Sequence, residues 1–587
     1  METQKKSHEL IFDQRRSANY TPTIWKYDFL ESLNNKYDSE EYKMQAEKLI
    51  EDVRYNIVET KDLKTKLELI NTIRKLGLTY HFEDQIKKAL DTISSSSNNY
   101  HYNSIDIKYP LLGEDLFLTS LYFRLLRLHG YQVSQDMFIG YKAVDCRKGR
   151  HKITSAEVKV MIELSEASDV AFECENTLIE AKACAEENLK FTFSNIDGLS
   201  CNNKYLRKHV AHALELPPHW RVQWFDVKWQ IEAHEHGGEN NTHTDSSTTS
   251  LLVDLAKLNF NMVQASLQKD IRELSSWWKN LGLSEKLDFA RDRLVESFMC
   301  TVGLAFQPEY KCLRKCLAKV VNFVLIVDDV YDVYGSLEEL RHFTNAVDRW
   351  DVRETQKLPE CMKICFQALY HTTCEIAEEI ENENGCKLVL LPHLKKAWAD
   401  FCKSLLVEAE WYHKGYIPSL EEYLRNGWIS SSGPLILVHS YFAIPNNETN
   451  NTASSYLDIT NQDLVYNISL IIRLCNDLGT SAAEQERGDA ASSILCYMQE
   501  TKSSEEEARK HIREMIRKTW QKINKICFSC SSSSSSPLLS LSFIDIALNA
   551  ARVAHSLYQS GDAFSAQHTN YKTHILSLLV HPLVPST

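Results

Sequence analysis

The stretch KVVNFVLIVDDVYDVYG, residues Lys319–Gly335, places a run of apolar residues directly before a group of aspartates. The run Val320–Val327 has the length and composition of a buried helix, and the glycine that closes the stretch is a common helix end. Asp328 and Asp332 are four residues apart, so their carboxylates share one face of a helix. Together with Asp329 they add negative charge to a helix C-terminus that is already partly negative. A hard divalent cation would relieve this repulsion, so the stretch predicts a metal site.

A second group of oxygen ligands follows in Ile471–Glu484, IIRLCNDLGTSAAE. Asn476, Thr480 and Glu484 stand at four-residue intervals and form one stripe on a helix. An amide, a hydroxyl and a carboxylate favour Mg²⁺ or Mn²⁺ over Zn²⁺. If the two helices face each other across a cavity, the stripes can hold several such ions. A diphosphate is then the natural anion to complete their coordination.

Three arginines are candidates to bind such an anion directly. Arg291 and Arg293 flank Asp292 in the tripeptide RDR, and residues two apart can reach one anion only near a helix end or in a loop. Arg473 lies about one helical turn before Asn476. Guanidinium groups bind phosphate oxygens through paired hydrogen bonds, so all three are candidate diphosphate ligands.

The composition is that of a helical globular protein. The chain has 587 residues, of which 18 are Gly and 13 are Pro, so these helix-breaking residues make up about 5% against roughly 12% on average. The net charge of −13 argues against nucleic acid as a partner held by bulk charge. The cysteines form no paired CxxC clusters, which favours a reduced compartment. No apolar run is long enough to span a membrane.

The ends and the middle of the chain suggest its location and its division. The N-terminus, METQKKSHEL, has no apolar signal core and carries acidic residues that plastid transit peptides avoid, so we expect a cytoplasmic protein. Residues 234–250, HEHGGENNTHTDSSTTS, are predicted to form a loop or linker. They separate an expected N-terminal domain, residues 1–233, from an expected C-terminal domain, residues 251–587.

Four motifs resemble those of plant class I terpene synthases, and their order and spacing along the chain are also those of the family. DDVYD at Asp328–Asp332 is similar to the aspartate-rich DDxxD motif, and NDLGTSAAE at Asn476–Glu484 is similar to the second metal motif, [ND]Dxx[ST]xxxE. RDR at Arg291–Arg293 is similar to the RxR motif, and residues 15–25 match the N-terminal RRx8W signature. Within the family, the stretches RRSANYTPTIWKYDF, ELPPHWRVQWFDVKWQIEA and GTSAAEQERGD resemble α-farnesene synthases of flowering plants.

The resemblance implies an all-α architecture of two helical domains. The C-terminal domain would be a class I terpenoid synthase bundle. The N-terminal domain would be an α-barrel that lacks the DxDD motif of class II cyclases and is catalytically silent, with Arg15 and Arg16 folding over the mouth of the active site. The resemblance also implies a monomer that binds Mg²⁺, as three ions with the diphosphate, or Mn²⁺. The implied metal ligands are Asp328, Asp329, Asp332, Asn476, Thr480 and Glu484.

The implied reaction is ionisation of a prenyl diphosphate, in which metal ions and arginines stabilise the charge on the leaving group. Proton loss to the departing diphosphate would give acyclic (E,E)-α-farnesene from farnesyl diphosphate, and monoterpenes such as β-ocimene from geranyl diphosphate. One departure bears on the product, because Cys300 occupies a position, seven residues after Arg293, that is often aromatic in the family. A thiol offers little of the cation–π attraction, which is worth up to about 2 kcal/mol when desolvated, so early proton loss is favoured over cyclisation.

Further pocket positions follow from the same resemblance. Ser430 and Ser431 match a helix that breaks before a Gly-Pro pair, and whose freed carbonyls point at the cation. Asp562 matches a family aspartate on a loop at the active site, with an expected catalytic role. The candidate aromatic contacts are Trp428, Tyr558 and Phe564.

Several alternatives share part of this pattern. Other acyclic terpene synthases, which make β-farnesene, nerolidol, linalool or ocimene, would carry the same motifs. A prenyl elongation enzyme usually has two DDxxD motifs in a much shorter chain. A non-enzymatic helical scaffold would explain the helices but not the ligand spacing, and a prenyl carrier would bind the substrate without turnover.

Overall fold

All regular elements of the computed structural model are helical within the residues that it describes. These residues are 20–98, 115–141, 154–195, 203–237, 246–385, 390–445, 459–460, 462–487, 491–529, 540–564 and 569–584. The all-α architecture predicted from the sequence is therefore confirmed.

The helices are numbered here in chain order. The first ten are α1 Tyr27–Ser32, α2 Glu40–Glu59, α3 Leu63–Lys75, α4 Glu83–Asn98, α5 Leu116–Leu128, α6 Ser155–Ser168, α7 Asn176–Asn195, α8 Asn203–Glu215, α9 Gln223–Gly237 and α10 Ser246–Leu281. The next eight are α11 Leu283–Lys286, α12 Leu294–Leu304, α13 Lys311–Asp329, α14 Leu337–Arg349, α15 Glu360–Asn384, α16 Leu391–Lys414, α17 Leu420–Ser430 and α18 Gly433–Ala443. The last five are α19 Asp463–Arg487, α20 Ser493–Thr501, α21 Glu505–Phe528, α22 Leu541–Tyr558 and α23 Thr569–Leu579.

The chain divides into two compact units. The large unit comprises Met1–Asn35, Val263–Thr519 and Ser536–His581, and the small unit comprises Lys36–Met262, Trp520–Ser535 and Pro582–Thr587. The small unit has an apolar core between α5, α6, α7 and α8. Inside it, the Arg124 guanidinium pairs with Glu163 at 2.6 Å and with Glu166 at 3.1 Å. Removing Arg124 would leave the buried Glu163 carboxylate uncompensated, so these pairs hold α5 and α6 in one arrangement.

The large unit brings together the helices that carry the acidic motifs. Helix α12 packs against both α13 and α22, and α22 packs against α19. Helix α18 also contacts both α13 and α19. The two predicted metal stripes therefore belong to one helical bundle.

The predicted loop at residues 234–250 is wrong at both of its ends. Helix α9 continues to Gly237 and α10 begins at Ser246, while residues 238–245 lie outside the described ranges. The Ser/Thr-rich start of α10 is helical because it is continuous with a buried apolar stripe that begins at Leu252 and Leu255, and packing of this kind overrides weak local propensity.

The division between the units also differs from the expected domain limits. It falls between residues 262 and 263, inside α10, and residues 20–35 belong to the large unit. A polar stretch in the sequence is thus a poor marker of this division, because a single helix contributes residues to both units.

None of the helices in the described ranges is both long and apolar enough to cross a lipid bilayer.

Candidate active site

The aspartate-rich motif lies where α13 changes its winding. The α-helix ends at Asp329 and is followed by a π-helical turn at Val330–Tyr334, in which the Gly335 amide donates to the Val330 carbonyl at 2.8 Å. The predicted helix end at the glycine is confirmed, but the last turn is wider than the α-helical turn that the spacing suggested. Single π turns of this kind are frequent at functional sites. The Asp328 side chain is 34% exposed and Asp332 is exposed, so both carboxylates are open to solvent.

Asp329 faces away from solvent and binds Arg291. Its side chain is fully buried, and its Oδ2 accepts hydrogen bonds from the Arg291 backbone N–H at 2.8 Å and from Nε at 3.2 Å. The Arg291 Nη2 also lies 2.7 Å from Asp328 Oδ2 and 2.9 Å from Asp329 Oδ1. Burial raises the pKa of Asp329 to about 6, against the opposing effect of the Arg291 charge. This geometry does not support Asp329 as a metal ligand and makes it the residue that orients Arg291.

The two arginines of the RDR tripeptide diverge. Arg291 lies between the acidic groups, with Asp562 at 3.9 Å from its Nη1. Arg293 is the N-terminal cap residue of α12, and its side chain is completely buried. Its guanidinium donates to the main-chain carbonyls of Asp292, Thr21 and Phe564. The structure therefore does not support Arg293 as a ligand of the same anion as Arg291, because its donors are directed at backbone.

An N-terminal segment, residues 20–27, packs on the RDR tripeptide and the start of α12. The Trp25 Nε1–H donates to Glu296 Oε1 at 2.9 Å in a buried hydrogen bond. The Tyr27 hydroxyl donates to Asp292, and Arg291 lies 5.0 Å from the centre of the Tyr20 ring. Burial raises the pKa of Glu296. Sequence reasoning found Trp25 only through its motif and missed the partners, which lie about 270 residues away in the chain. Arg15 and Arg16 lie outside the described residues.

The second metal stripe is on α19, where Asn476 and Arg473 contact each other. The Arg473 Nη2–H donates to Asn476 Oδ1, and its Nε lies 2.9 Å from Asp477 Oδ1. Thr480 is buried, and its hydroxyl donates to the Asn476 carbonyl at 2.9 Å. The predicted proximity of Arg473 to the stripe is confirmed. The backbone of Glu484 lies within α19, but its side chain is outside the described residues.

Tyr558, at the end of α22, lies against the same stripe. A Cβ atom added at Gly479 would stand 2.9 Å from the Tyr558 Cβ and 3.0 Å from its carbonyl oxygen, so only glycine allows this approach. Burial raises the pKa of Tyr558, and the nearby Asp562 carboxylate adds to this effect while a hydrogen bond with Asn476 opposes it. Asp562 in turn lies near Arg291. Tyr558 and Asp562 thus connect the aspartate-rich motif to the second stripe.

The predicted break before the Gly-Pro pair is confirmed. Helix α17 ends at Ser430 and α18 begins at Gly433, with Ser432 between them at a φ of 63°. The Ser430 hydroxyl donates to the carboxylate of Glu408, and the Ser431 hydroxyl donates to the Trp428 carbonyl at 2.8 Å. The sequence gives no indication of Glu408. Burial raises the pKa of its carboxyl group, and the positive charge of Arg473 acts in the opposite direction. No motif marks this residue, which comes from the C-terminal third of α16.

The remaining pocket predictions concern three side chains. Cys300 is buried on α12, one helical turn after Glu296, and burial raises the pKa of its thiol. Phe564 is buried, and its backbone N–H donates a hydrogen bond to Asp562 Oδ1 at 2.9 Å. The Trp428 ring packs edge-on against Tyr466, with 5.4 Å between ring centres.

The donor set fits magnesium by its chemistry. Asp328 and Asp332 offer carboxylate oxygens, and Asn476 and Thr480 offer an amide and a hydroxyl oxygen, which are the hard ligands that Mg²⁺ prefers. Among the described side chains, no three or more Asp, Glu, His or Cys residues are grouped to hold a metal by themselves.

Comparison with known proteins places this arrangement in a family. Residues 24–214 match the terpene synthase N-terminal domain, and residues 279–522 match the metal binding domain of the terpene synthase family. An (E,E)-alpha-farnesene synthase of Malus domestica is 55% identical over 98% of this chain and 95% of its own length. An alpha-farnesene synthase of Ricinus communis is 52% identical over 97% of this chain and 96% of its own length.

Solved structures agree with this placement. A limonene synthase bound to 2-fluorolinalyl diphosphate has a TM-score of 0.86 at 34% identity, covering 97% of this chain and 100% of that chain. Isoprene synthase from grey poplar, in complex with three Mg²⁺ ions and dimethylallyl-S-thiolodiphosphate, has a TM-score of 0.79 at 39% identity, covering 96% and 100%. The chain belongs to the terpene synthase family. It is a plant-type terpene synthase, a lyase that releases diphosphate.

Proposed function

We propose that this terpene synthase converts farnesyl diphosphate into acyclic (E,E)-α-farnesene and diphosphate in the presence of Mg²⁺. Two relatives that are more than half identical to the chain over nearly their whole lengths are named as α-farnesene synthases. The structural observation that carries the product assignment is the buried thiol of Cys300 on α12.

The residues that would hold the metal are those of the two stripes. Asp328 lies in the last turn of α13, Asp332 lies in the π-helical turn that follows, and Asn476, Thr480 and Glu484 lie on α19. Bound Mg²⁺ would act as a Lewis acid that stabilises negative charge on the diphosphate oxygens. Asp329 is left out of this set because its carboxylate is occupied by Arg291.

Arg291 is the arginine best placed to assist departure of the diphosphate. It is buried, and although burial alone would lower its pKa, the surrounding carboxylates raise that pKa well above its ordinary value. The guanidinium therefore stays charged and is held in advance by Asp329, so its orientation costs little during the reaction. Arg473, which contacts Asn476, supplies a second positive charge at the other stripe.

The buried side of the pocket determines what happens to the allylic cation. Cys300 offers no π-face, so a cyclised cation gains little stabilisation at this position. The chain then favours early proton loss, with the departing diphosphate as the acceptor. About 2 kcal/mol of missing stabilisation corresponds to more than a tenfold change in the partition of the cation.

Further parts of the proposal concern the whole protein. The small unit would be catalytically silent, since the sequence contains no DxDD motif. The enzyme would act as a cytoplasmic monomer.

The test is incubation of the purified chain with farnesyl or geranyl diphosphate and Mg²⁺, followed by gas chromatography with mass detection. We expect α-farnesene from the fifteen-carbon substrate, β-ocimene-type products from the ten-carbon one, and no product after chelation of the metal. A mostly cyclic product would refute the argument from Cys300. Binding without release of free diphosphate would instead indicate a carrier.

A further inference from the structure

Arg293 connects two distant parts of the chain through its guanidinium group. Its Nη2 donates to the Thr21 carbonyl at 2.8 Å, and its Nε donates to the Phe564 carbonyl at 2.7 Å. These partners lie 272 residues before it and 271 residues after it. Its Nη1 donates to the carbonyl of the neighbouring Asp292 at 2.8 Å. Each nitrogen of the group is thus directed at a main-chain oxygen.

Other contacts fasten the same two segments to the same place. The Trp25 Nε1–H donates a hydrogen bond to Glu296, which lies three residues after Arg293. On the C-terminal side, Asp562 binds the Phe564 backbone and lies near Arg291. Residues 20–27 and 562–564 therefore meet at residues 291–296, and Arg293 donates hydrogen bonds to the main chain of both segments.

The geometry separates the tasks of the two arginines. A guanidinium has five N–H donors in a fixed planar fork, so it cannot turn toward a new acceptor without giving up its present partners. Arg293 is completely buried, and each of its three guanidinium nitrogens already donates to a main-chain carbonyl. Arg291, by contrast, pairs with carboxylates, and one of them, Asp328, is also an expected metal ligand.

We propose that Arg293 is a positioning residue that holds residues 20–27 and 562–564 against residues 291–296 and so keeps water from the allylic cation, rather than a ligand of the diphosphate. This rests on the proposed function of the same site. When the two segments loosen, a water oxygen forms a C–O bond with the cationic carbon. Its proton passes to the departed diphosphate, and an acyclic prenyl alcohol replaces the hydrocarbon.

The experiment compares Arg293→Lys and Arg293→Met with the wild type. The lysine variant keeps the charge but loses the fork, whereas the methionine variant loses both. We expect both variants to raise the ratio of alcohol to hydrocarbon by at least about fivefold, the factor that corresponds to the loss of one of the three hydrogen bonds. Assays in H₂¹⁸O show that the oxygen comes from solvent attack on carbon, because a contaminating phosphatase leaves the substrate oxygen in place.

Inhibition by inorganic diphosphate in the presence of Mg²⁺ separates positioning from direct binding. We expect the inhibition constant of both variants to stay within about twofold of the wild type. If Arg293→Lys behaves as the wild type while Arg293→Met weakens inhibition by about tenfold or more without added alcohol, Arg293 acts on the diphosphate through its charge and the proposal is wrong.

A matched control is Arg314→Met. Arg314 is also completely buried in the large unit, pairs with Asp270 at 2.8 Å, and donates to the carbonyls of Ala305 and Gln307. This variant should lose stability with no change in the share of alcohol. If it raises the alcohol to the same extent, general loosening explains the effect and the proposal fails.

Hydrogen exchange provides a readout that does not depend on the product. In Arg293→Lys, amides of residues 20–27 and 562–564 should exchange faster, while those of α13 should not change. Unchanged exchange in both segments would overturn the proposal even if the variant were slow. A wild type that makes no terpene from either substrate would instead refute the proposed function, and the exchange result would still decide the role of Arg293.

Discussion

The neighbouring aspartates Asp328 and Asp329 should respond in opposite ways to the same substitution. Asp328→Asn and Asp329→Asn each remove one charge and keep the shape of the side chain. The first residue is one-third exposed and open to a metal, and the second is buried against Arg291. We expect Asp328→Asn to remain stable but inactive, and Asp329→Asn to be unstable but partly active.

The magnitudes follow from burial. Asp329 accepts two hydrogen bonds from Arg291 and makes a third contact at 2.9 Å. Breaking a buried pair costs roughly 3–5 kcal/mol, and because Asp328 still faces the arginine we expect about 3 kcal/mol. Loss of the partly exposed Asp328 pair should cost at most about 1 kcal/mol. Loss of a metal ligand should lower kcat/KM by about a thousandfold, equivalent to several kcal/mol of lost charge stabilisation.

The assay combines urea unfolding with steady-state kinetics at a temperature where both variants are folded. A second measurement is the shift of the thermal midpoint on adding Mg²⁺ with inorganic diphosphate, which Asp328→Asn should lose and Asp329→Asn should keep. If Asp329→Asn is as stable as the wild type but loses this shift, Asp329 is a metal ligand and the assignment of roles is refuted.

Three further perturbations test other parts of the site. Cys300→Phe should increase the cyclic fraction of the product by up to about tenfold in gas chromatography, and an unchanged product profile would mean that the ring is not near the cation. Gly479→Ala places a methyl group 2.9 Å from the Tyr558 Cβ and should lower the unfolding free energy by about 1–3 kcal/mol, with a fall in kcat/KM; wild-type behaviour in both would contradict the close approach. Burial lowers the pKa of His439 from 6.5 to about 4, so its contribution to stability is complete above pH 6.5 and is lost as the pH falls towards 4. The unfolding free energy of the wild type should therefore drop by about 2 kcal/mol more than that of His439→Gln between pH 7 and pH 5, and equal drops would show that this imidazole is not neutral in the folded state.

The sequence predicts well those features that depend on local periodicity. In α3, the residues Leu67, Ile70 and Ile73 are buried as their spacing indicates, and Gly77 follows the helix at a φ of 72°. The Gly-Pro pair likewise predicts the break between α17 and α18. The stretch 234–250 fails because local polarity does not report the burial of the helix that follows it.

In the candidate active site too, features set by local spacing were predictable and features set by distant partners were not. Asn476 and Thr480 lie on one stripe of α19 because four-residue spacing is a property of the helix itself. The directions in which the Asp329 and Arg293 side chains point, by contrast, depend on partners that are distant in the chain or lie on another helix. Residue spacing cannot predict such partners. Glu408 has no motif at all, and only the packing of α16 places it near Ser430 and Arg473.

The membership of residues 20–35 in the large unit has a practical consequence for recombining relatives. A chimera that exchanges everything before residue 263 would give Glu296 and Arg293 a foreign tryptophan and a foreign backbone to bind. Exchanging residues 36–262 alone keeps residues 20–35 with the large unit, and exchanging residues 520–535 and 582–587 with them keeps the small unit whole. Chimeras made to obtain new product profiles should therefore have a crossover point at residue 36 as well as one within α10.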